Sequence, residues 1–230
     1  MSDTNLEIKN LAYKIINLIV KYSRILVRLN RGFIIEIIEA IKVYSYEKRL
    51  NIQTGLIYCF KDVFSLRKDD EYPYEPTSYY DLEKIVNYLK LKPEDVLVDF
   101  GCGKGRTVFY VALQNVRKVI GVELNKELIN IAHRNLANIK FSKAAIKLIC
   151  SDAVNFEIND ENIFFMFNPF GYEKFKKVIE NIKNSLVNNP RQIRIVYYIP
   201  RYSDLLKRQN WLTLEAELND GRCLIWRNKF

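Results

Sequence analysis

Val96-Leu97-Val98-Asp99-Phe100-Gly101-Cys102-Gly103-Lys104-Gly105-Arg106 is the stretch on which the fold turns. Its first five residues are apolar apart from one acid and read as a short strand buried on both faces. Three of the chain's 8 glycines then fall within five residues. Glycine at such a junction lets the backbone turn sharply and approach a ligand closely. The helix expected next, over about 105–115, offers unpaired amide donors at its start. Two details separate this loop from a dinucleotide-binding one. The spacing is G-x-G-x-G, with Arg106 where the dinucleotide fingerprint takes its third small residue. Asp99, two residues before the first glycine, would repel a pyrophosphate but suits a cationic ligand. The next strand, Val119-Ile120-Gly121-Val122-Glu123, ends in an acid placed for a ribose diol.

Toward the C-terminus the alternation continues. A helix over 126–138, strands at 146–150 and 163–167, a helix over 172–187 and a strand at 193–198 are expected. Strands at 212–217 and 223–227, joined by a turn at Asn219-Asp220-Gly221, close the chain as a hairpin. The pattern predicts an α/β fold: a doubly wound, Rossmann-like, seven-stranded sheet with a C-terminal antiparallel hairpin, preceded by an N-terminal helical region.

Toward the N-terminus, Ser78 and Asp81 mark a helix start whose apolar face is Leu82, Ile85, Val86 and Leu89. Before it, Leu66-Arg67-Lys68-Asp69-Asp70-Glu71-Tyr72-Pro73-Tyr74-Glu75-Pro76-Thr77 combines a charge cluster with two prolines and reads as a boundary. Residues 1–71 are therefore expected to form a helical lid or docking arm, and residues 72–230 the main domain. In residues 7–31 a polar stripe, cationic from Lys14 onward, runs along an otherwise apolar helix. That helix either docks on the rest of the protein or meets an anionic partner or membrane surface. A second amphipathic helix follows to about Arg49.

Composition closes several doors. Apolar residues make up 49% of 230 and charged residues 27%, which excludes wholesale disorder. The net charge of +9, most of it after residue 75, permits an anionic partner without naming one. The 4 cysteines contain no CxxC pair, and His133 is the single histidine, so no metal is expected. The N-terminus lacks the cationic region of a secretory signal, and no stretch has the roughly 18 apolar residues of a membrane span. A cytoplasmic location without a transmembrane segment is the expectation.

Residues 96–106 resemble the first motif of class I S-adenosylmethionine-dependent methyltransferases. Val122-Glu123 is similar to the second motif, Ser151-Asp152-Ala153 to the third, and Asn168-Pro169-Phe170 to the substrate-side motif. The resemblance covers roughly residues 72–230 and implies S-adenosylmethionine as donor, S-adenosylhomocysteine as product, and no metal. It implies further that Asp99, Gly101, Cys102, Gly103 and Gly105 face the donor's amino acid part. Glu123 would face its ribose, and Asp152 with Ala153 its adenine. Cys102 reads as a small filler and His133 as structural.

Asn168-Pro169-Phe170 is also close to the Asn/Asp-Pro-Pro-aromatic motif of enzymes that methylate amino groups. There a carboxamide accepts a hydrogen bond from the target nitrogen and the aromatic ring stacks on it. This chain has one proline, and its aromatic sits one place early. The expected reaction is in-line methyl transfer to an amino nitrogen, with Asn168, Pro169 and Phe170 catalytic; the alternative is a loop that only shapes the pocket. Tyr74-Glu75-Pro76-Thr77 with Glu123-Leu124-Asn125 is similar to small protein-lysine methyltransferases carrying an N-terminal helical anchor. That resemblance implies that Tyr74, Thr77 and Tyr79 lie over the donor, although the tyrosines read equally well as core aromatics. The acceptor is unknown. A small molecule, glycan or protein fits the dispersed basic residues better than nucleic acid does, and a non-catalytic donor-binding or scaffold protein is the remaining alternative.

Overall fold

The structure, a computed structural model, describes residues 31–55 and 74–229. The helix expected over 7–31, up to its last residue, and the charge cluster before Tyr74 lie outside the described residues.

Helix α1 (Arg31–Leu50) is followed, after residues 51–55 and 74–78, by α2 (Tyr79–Leu89). Then come β1 (Val96–Phe100), α3 (Arg106–Val111), β2 (Lys118–Glu123), α4 (Lys126–Asn138) and β3 (Ala145–Cys150). A single 3-10 turn (Ala153–Asn155) leads to β4 (Ile163–Phe167), α5 (Tyr172–Asn188), β5 (Arg194–Tyr198) and α6 (Ser203–Lys207). The hairpin β6 (Leu212–Leu218) and β7 (Cys223–Asn228) ends the chain. One seven-stranded sheet has the order β3-β2-β1-β4-β5-β7-β6. The first five strands pair in parallel, and β7 inserts antiparallel between β5 and β6.

The central strands are apolar on both faces because helices cover both. Val98, Phe100, Phe164, Met166 and Tyr197 pack toward α5, whereas Leu97, Phe165, Val196 and Tyr198 pack toward α1, α2, α3 and α4. Ser78 caps α2 as expected, its hydroxyl accepting from the Asp81 amide at 3.0 Å. Asn125 caps α4 by accepting from Glu127 and Leu128 amides.

Two expectations are corrected. The helix after the glycine loop covers only six residues rather than extending to 115; Leu113 and Gln114 donate to the third residue back, so the last turn tightens and stops. The five-residue α6 was not expected, being too short to display a helical period.

The N-terminal segments wrap the glycine loop, and the organising group is Arg106. Its guanidinium, 5% exposed, lies 3.4 Å from Glu39 and 3.3 Å from Glu47, both on α1. It also donates to Thr54 Oγ1 at 2.8 Å and to the Thr77 carbonyl at 3.3 Å, and stacks 4.6 Å above the Tyr79 ring. Glu39 in turn accepts from the Tyr79 and Tyr80 amides, and Glu47 from the amide and hydroxyl of Thr54. One buried cation thus joins α1, the segment 51–55 and the start of α2 to the first turn of α3.

Arg106→Ala leaves two carboxylates facing each other without their counter-charge. It is expected to lower the unfolding free energy by roughly 3–5 kcal/mol, the range for breaking a buried pair. Denaturant titration measures it, and a loss within the ~1 kcal/mol of an exposed pair would show that α1 is held by other contacts.

Candidate functional site

The glycine loop folds back over β2: the amides of Gly101 and Cys102 both donate to the Val122 carbonyl, at 2.8 and 3.1 Å. Gly101 and Gly103 have φ of +80° and +54°, in the left-handed region that excludes most side chains. Space excludes them too. A Cβ at Gly101 would lie 2.5 Å from Pro169 Cβ, and one at Gly103 would lie 2.2 Å from the Tyr74 ring. The first contact joins the glycine loop to the segment after β4. The second brings Tyr74 over the loop, where its hydroxyl donates to the Thr54 carbonyl at 2.6 Å.

Glu123 is held in place by the same loop. Its Oε2 accepts from the Gly103 amide and its Oε1 from the Asn125 amide, each at 2.8 Å. Asp99 lies beside Gly121 of β2 and Phe165 of β4 in the sheet register and is 3% exposed. Burial, and then the Glu123 carboxylate, push its carboxyl up from 3.8 to about 8. Cys102 fills space: a Cβ on Gly121 would come within 2.8 Å of its sulfur. Burial, followed by Asp99 and Glu123, raises that thiol well above its ordinary value, so it does not supply a thiolate.

Asp152 follows β3, whose last residue, Cys150, pairs with Glu123. One carboxylate oxygen caps the 3-10 turn by accepting from the Val154 amide at 3.1 Å, and the other meets Lys174 Nζ at 3.0 Å. Ala153 is buried beside it. Asn168 follows β4 with φ +40°, and its Oδ1 accepts from the Tyr197 hydroxyl at 3.3 Å. Ile199, at the end of β5, has φ +50°, a rare conformation for a β-branched residue. Asp99, the glycines, Glu123, Asp152 and Asn168-Pro169 therefore gather at the carboxyl ends of β1 to β4, where an open α/β sheet receives its ligands.

Two residues expected at the site serve the core instead. Tyr79 has no exposed surface; as the first residue of α2 it faces α1, stacked on Tyr46 at 4.8 Å under Arg106. Phe170 is 7% exposed among the apolar side chains beneath α5. One place early in the motif, the ring turns inward rather than toward the crevice. Thr77 is buried, its carbonyl occupied by Arg106. Sequence reasoning missed the orienting groups Lys174, Tyr197 and Asn135; the last bonds the carbonyls of both Gln53 and Lys104. Each acts across the fold, so no local spacing announces it.

A separate cleft of about 860 Å³ runs between α1 and α4, lined by Val43, Tyr44, Lys48, Ile131 and Arg134 among others. None of the gathered acids lines it. Among the described residues no group of three or more His, Cys, Asp or Glu could hold a metal ion, and no helix is long and apolar enough to cross a membrane.

Residues 97–189 match the family model described as a methyltransferase domain. Over 177 residues, 71% of its length, the chain is 29% identical to a histone-lysine N-methyltransferase, H3 lysine-79 specific, from Dictyostelium discoideum, of which it covers 9%. Over 69 residues, 30% of its length, it is 39% identical to a protein-lysine N-methyltransferase from Saccharolobus islandicus, of which it covers 41%. The chain thus spans less than half the length of either curated relative. Among solved structures, a putative S-adenosyl-L-methionine-dependent methyltransferase from Methanococcus maripaludis superposes with a TM-score of 0.53 at 16% identity, over 65% of this chain and 83% of that one. That likeness concerns the fold. The matched segment contains Asp99, the three glycines, Glu123, Asp152 and Asn168-Pro169.

The Asp99 carboxyl titrates near 4 in the unfolded chain and near 8 in the fold. Between those values the folded state holds the extra proton, so this group makes stability fall as pH rises from about 4 to about 8, and it adds no slope above. Asp99→Asn is expected to remove that contribution. Thermal unfolding across pH 4–9 should show the variant gaining on the wild type up to about pH 8; parallel curves would place the Asp99 titration elsewhere.

Proposed function

We propose that this chain transfers a methyl group from S-adenosylmethionine to the ε-amine of a lysine in a protein. The carrying observation is the close approach of Pro169 to Gly101, which brings the Asn168-Pro169 segment beside the glycine loop. The family model supports methyl transfer. The names of both curated relatives support lysine as the acceptor.

The residues present fit the donor. Burial first, and then the Glu123 carboxylate, raise the Asp99 carboxyl, and a bound cation would offset both. Asp99 and the glycine-loop amides would hold the donor's amino acid part, Glu123 its ribose, and Asp152 with Ala153 its adenine. Bound there, S-adenosylmethionine supplies a methyl group made electrophilic by a sulfonium sulfur. Asn168 accepts a hydrogen bond from the target amine and so aims its lone pair. The walls formed by Tyr74, Thr77 and Pro169 exclude water. Positioning and exclusion of water are the chain's main contributions, and neither calls for a histidine or a metal.

The test combines purified protein, methyl-tritiated donor, unmodified core histones and an unfractionated cell extract. Tritiated methyl-lysine in hydrolysed protein is the expected product. Label confined to nucleic acid or metabolites would overturn lysine as acceptor but keep methyl transfer, and failure to bind the donor would overturn both. Asn168→Ala should retain donor binding while lowering methylation at least tenfold.

Because the ligand's cation favours ionised Asp99, binding should release close to one proton at pH 6–7 and tighten with pH until about 8, then level. Calorimetry in two buffers of different ionisation enthalpy measures the proton count. Binding that weakens as pH rises from 6 to 8 would reverse the assigned role.

A further inference from the structure

The side chain assigned to meet the acceptor amine does not orient itself. Asn168 sits in a left-handed backbone conformation, 8% exposed, and its Oδ1 is 3.3 Å from the hydroxyl of Tyr197 on β5. That hydroxyl also accepts the amide N–H of Tyr202, at 3.2 Å. The Tyr202 N–H donates to the Tyr197 oxygen, and the Tyr197 O–H donates to Asn168 Oδ1, so the three groups form one relay. The Tyr197 ring is fully buried and stacked on Phe175 of α5 at 4.6 Å, so the hydroxyl has little freedom to swing away.

We infer that Tyr197 is a positioning residue for the methyl acceptor, holding the Asn168 carboxamide so that its oxygen, with one lone pair taken and one free, receives the incoming amine. The inference rests on the reading of this edge as a methyl-donor site. A carboxamide has two nearly isosteric orientations, and only one presents an acceptor. The tyrosine donor selects that one before any substrate arrives, so no reorientation is needed during reaction. The segment between β5 and α6, bent at the left-handed Ile199, thereby becomes part of the acceptor side of the site, since it supplies the amide that pins the hydroxyl.

The probe is sinefungin, a donor analogue carrying an amine where the methyl would be, compared with S-adenosylhomocysteine, which has nothing there. Their ratio of dissociation constants reports hydrogen-bond acceptors at the transfer point without requiring a known protein substrate. Wild type should prefer sinefungin. Tyr197→Phe keeps the ring and its stacking, so it should leave the S-adenosylhomocysteine constant unchanged. The sinefungin preference should fall by about three- to tenfold, the loss of one oriented hydrogen bond. In an Asn168→Ala background the same substitution should change nothing further, because Tyr197 acts through Asn168. An unchanged ratio in Tyr197→Phe, equal weakening of both ligands, or a full additional loss on top of Asn168→Ala would each overturn the assignment. If wild type binds neither compound, the donor-site reading fails and the inference with it.

Discussion

A guanidinium buried at the start of α3 dictates much of what surrounds the glycine loop. Removing a positive charge from water is costly unless carboxylates and carbonyls replace the lost hydration. Arg106 obtains these from Glu39, Glu47, Thr54 and Thr77, all of them N-terminal to the sheet. To deliver its two acids, α1 has to lie across the first turn of α3, and the strands of chain at 51–55 and 74–77 have to follow. Lys104 adds a second tie, donating to the Gly55 carbonyl at 3.0 Å. Tyr74 then comes down over Gly103, and the loop acquires its wall. The N-terminal helix is thus tied to the glycine loop by this ion network as well as by the apolar contacts of Val43, Tyr46 and Leu50 with the core.

The opposite imbalance lies a few residues away. Asp99 and Glu123 stand at neighbouring strand ends, and the glycine loop brings amides to Glu123 while Asp99 remains in a nearly waterless position. The protein keeps a carboxyl in a costly buried position there, beside a second carboxylate, and holds Asn168 and Ile199 in strained backbone nearby. Both kinds of cost are concentrated along one edge of the sheet, at the carboxyl ends of its strands. An apolar edge would be more stable and would hold no cation.

Legibility followed locality. The strand-glycine-helix junction, the cap at Ser78 and the terminal hairpin depend on neighbours in sequence, and each appears where its spacing predicts. Glu123 and Asp152 could be placed because parallel strands bring their carboxyl ends to one line. Tyr79 was misplaced because the same spacing suits a core aromatic and a crevice wall; only the docking of α1 against Tyr46 decides between them. Phe170 was misplaced by a motif whose aromatic lies one residue later, and a shift of one position turns a side chain to the other face. Tyr197 and Lys174 lie 29 and 22 positions from the groups they orient, beyond the reach of any motif.

From its own residues the chain determined an alternating α/β order, a glycine loop suited to a cation rather than a pyrophosphate, and acids at successive strand ends. Those follow from hydrophobic period, backbone freedom and charge, which act over a few residues. Folding in three dimensions decided which carboxyl is raised, which tyrosine covers the loop and which one aims Asn168. Those outcomes depend on burial and on partners brought in from other elements, and neither exists until the sheet and its helices have packed.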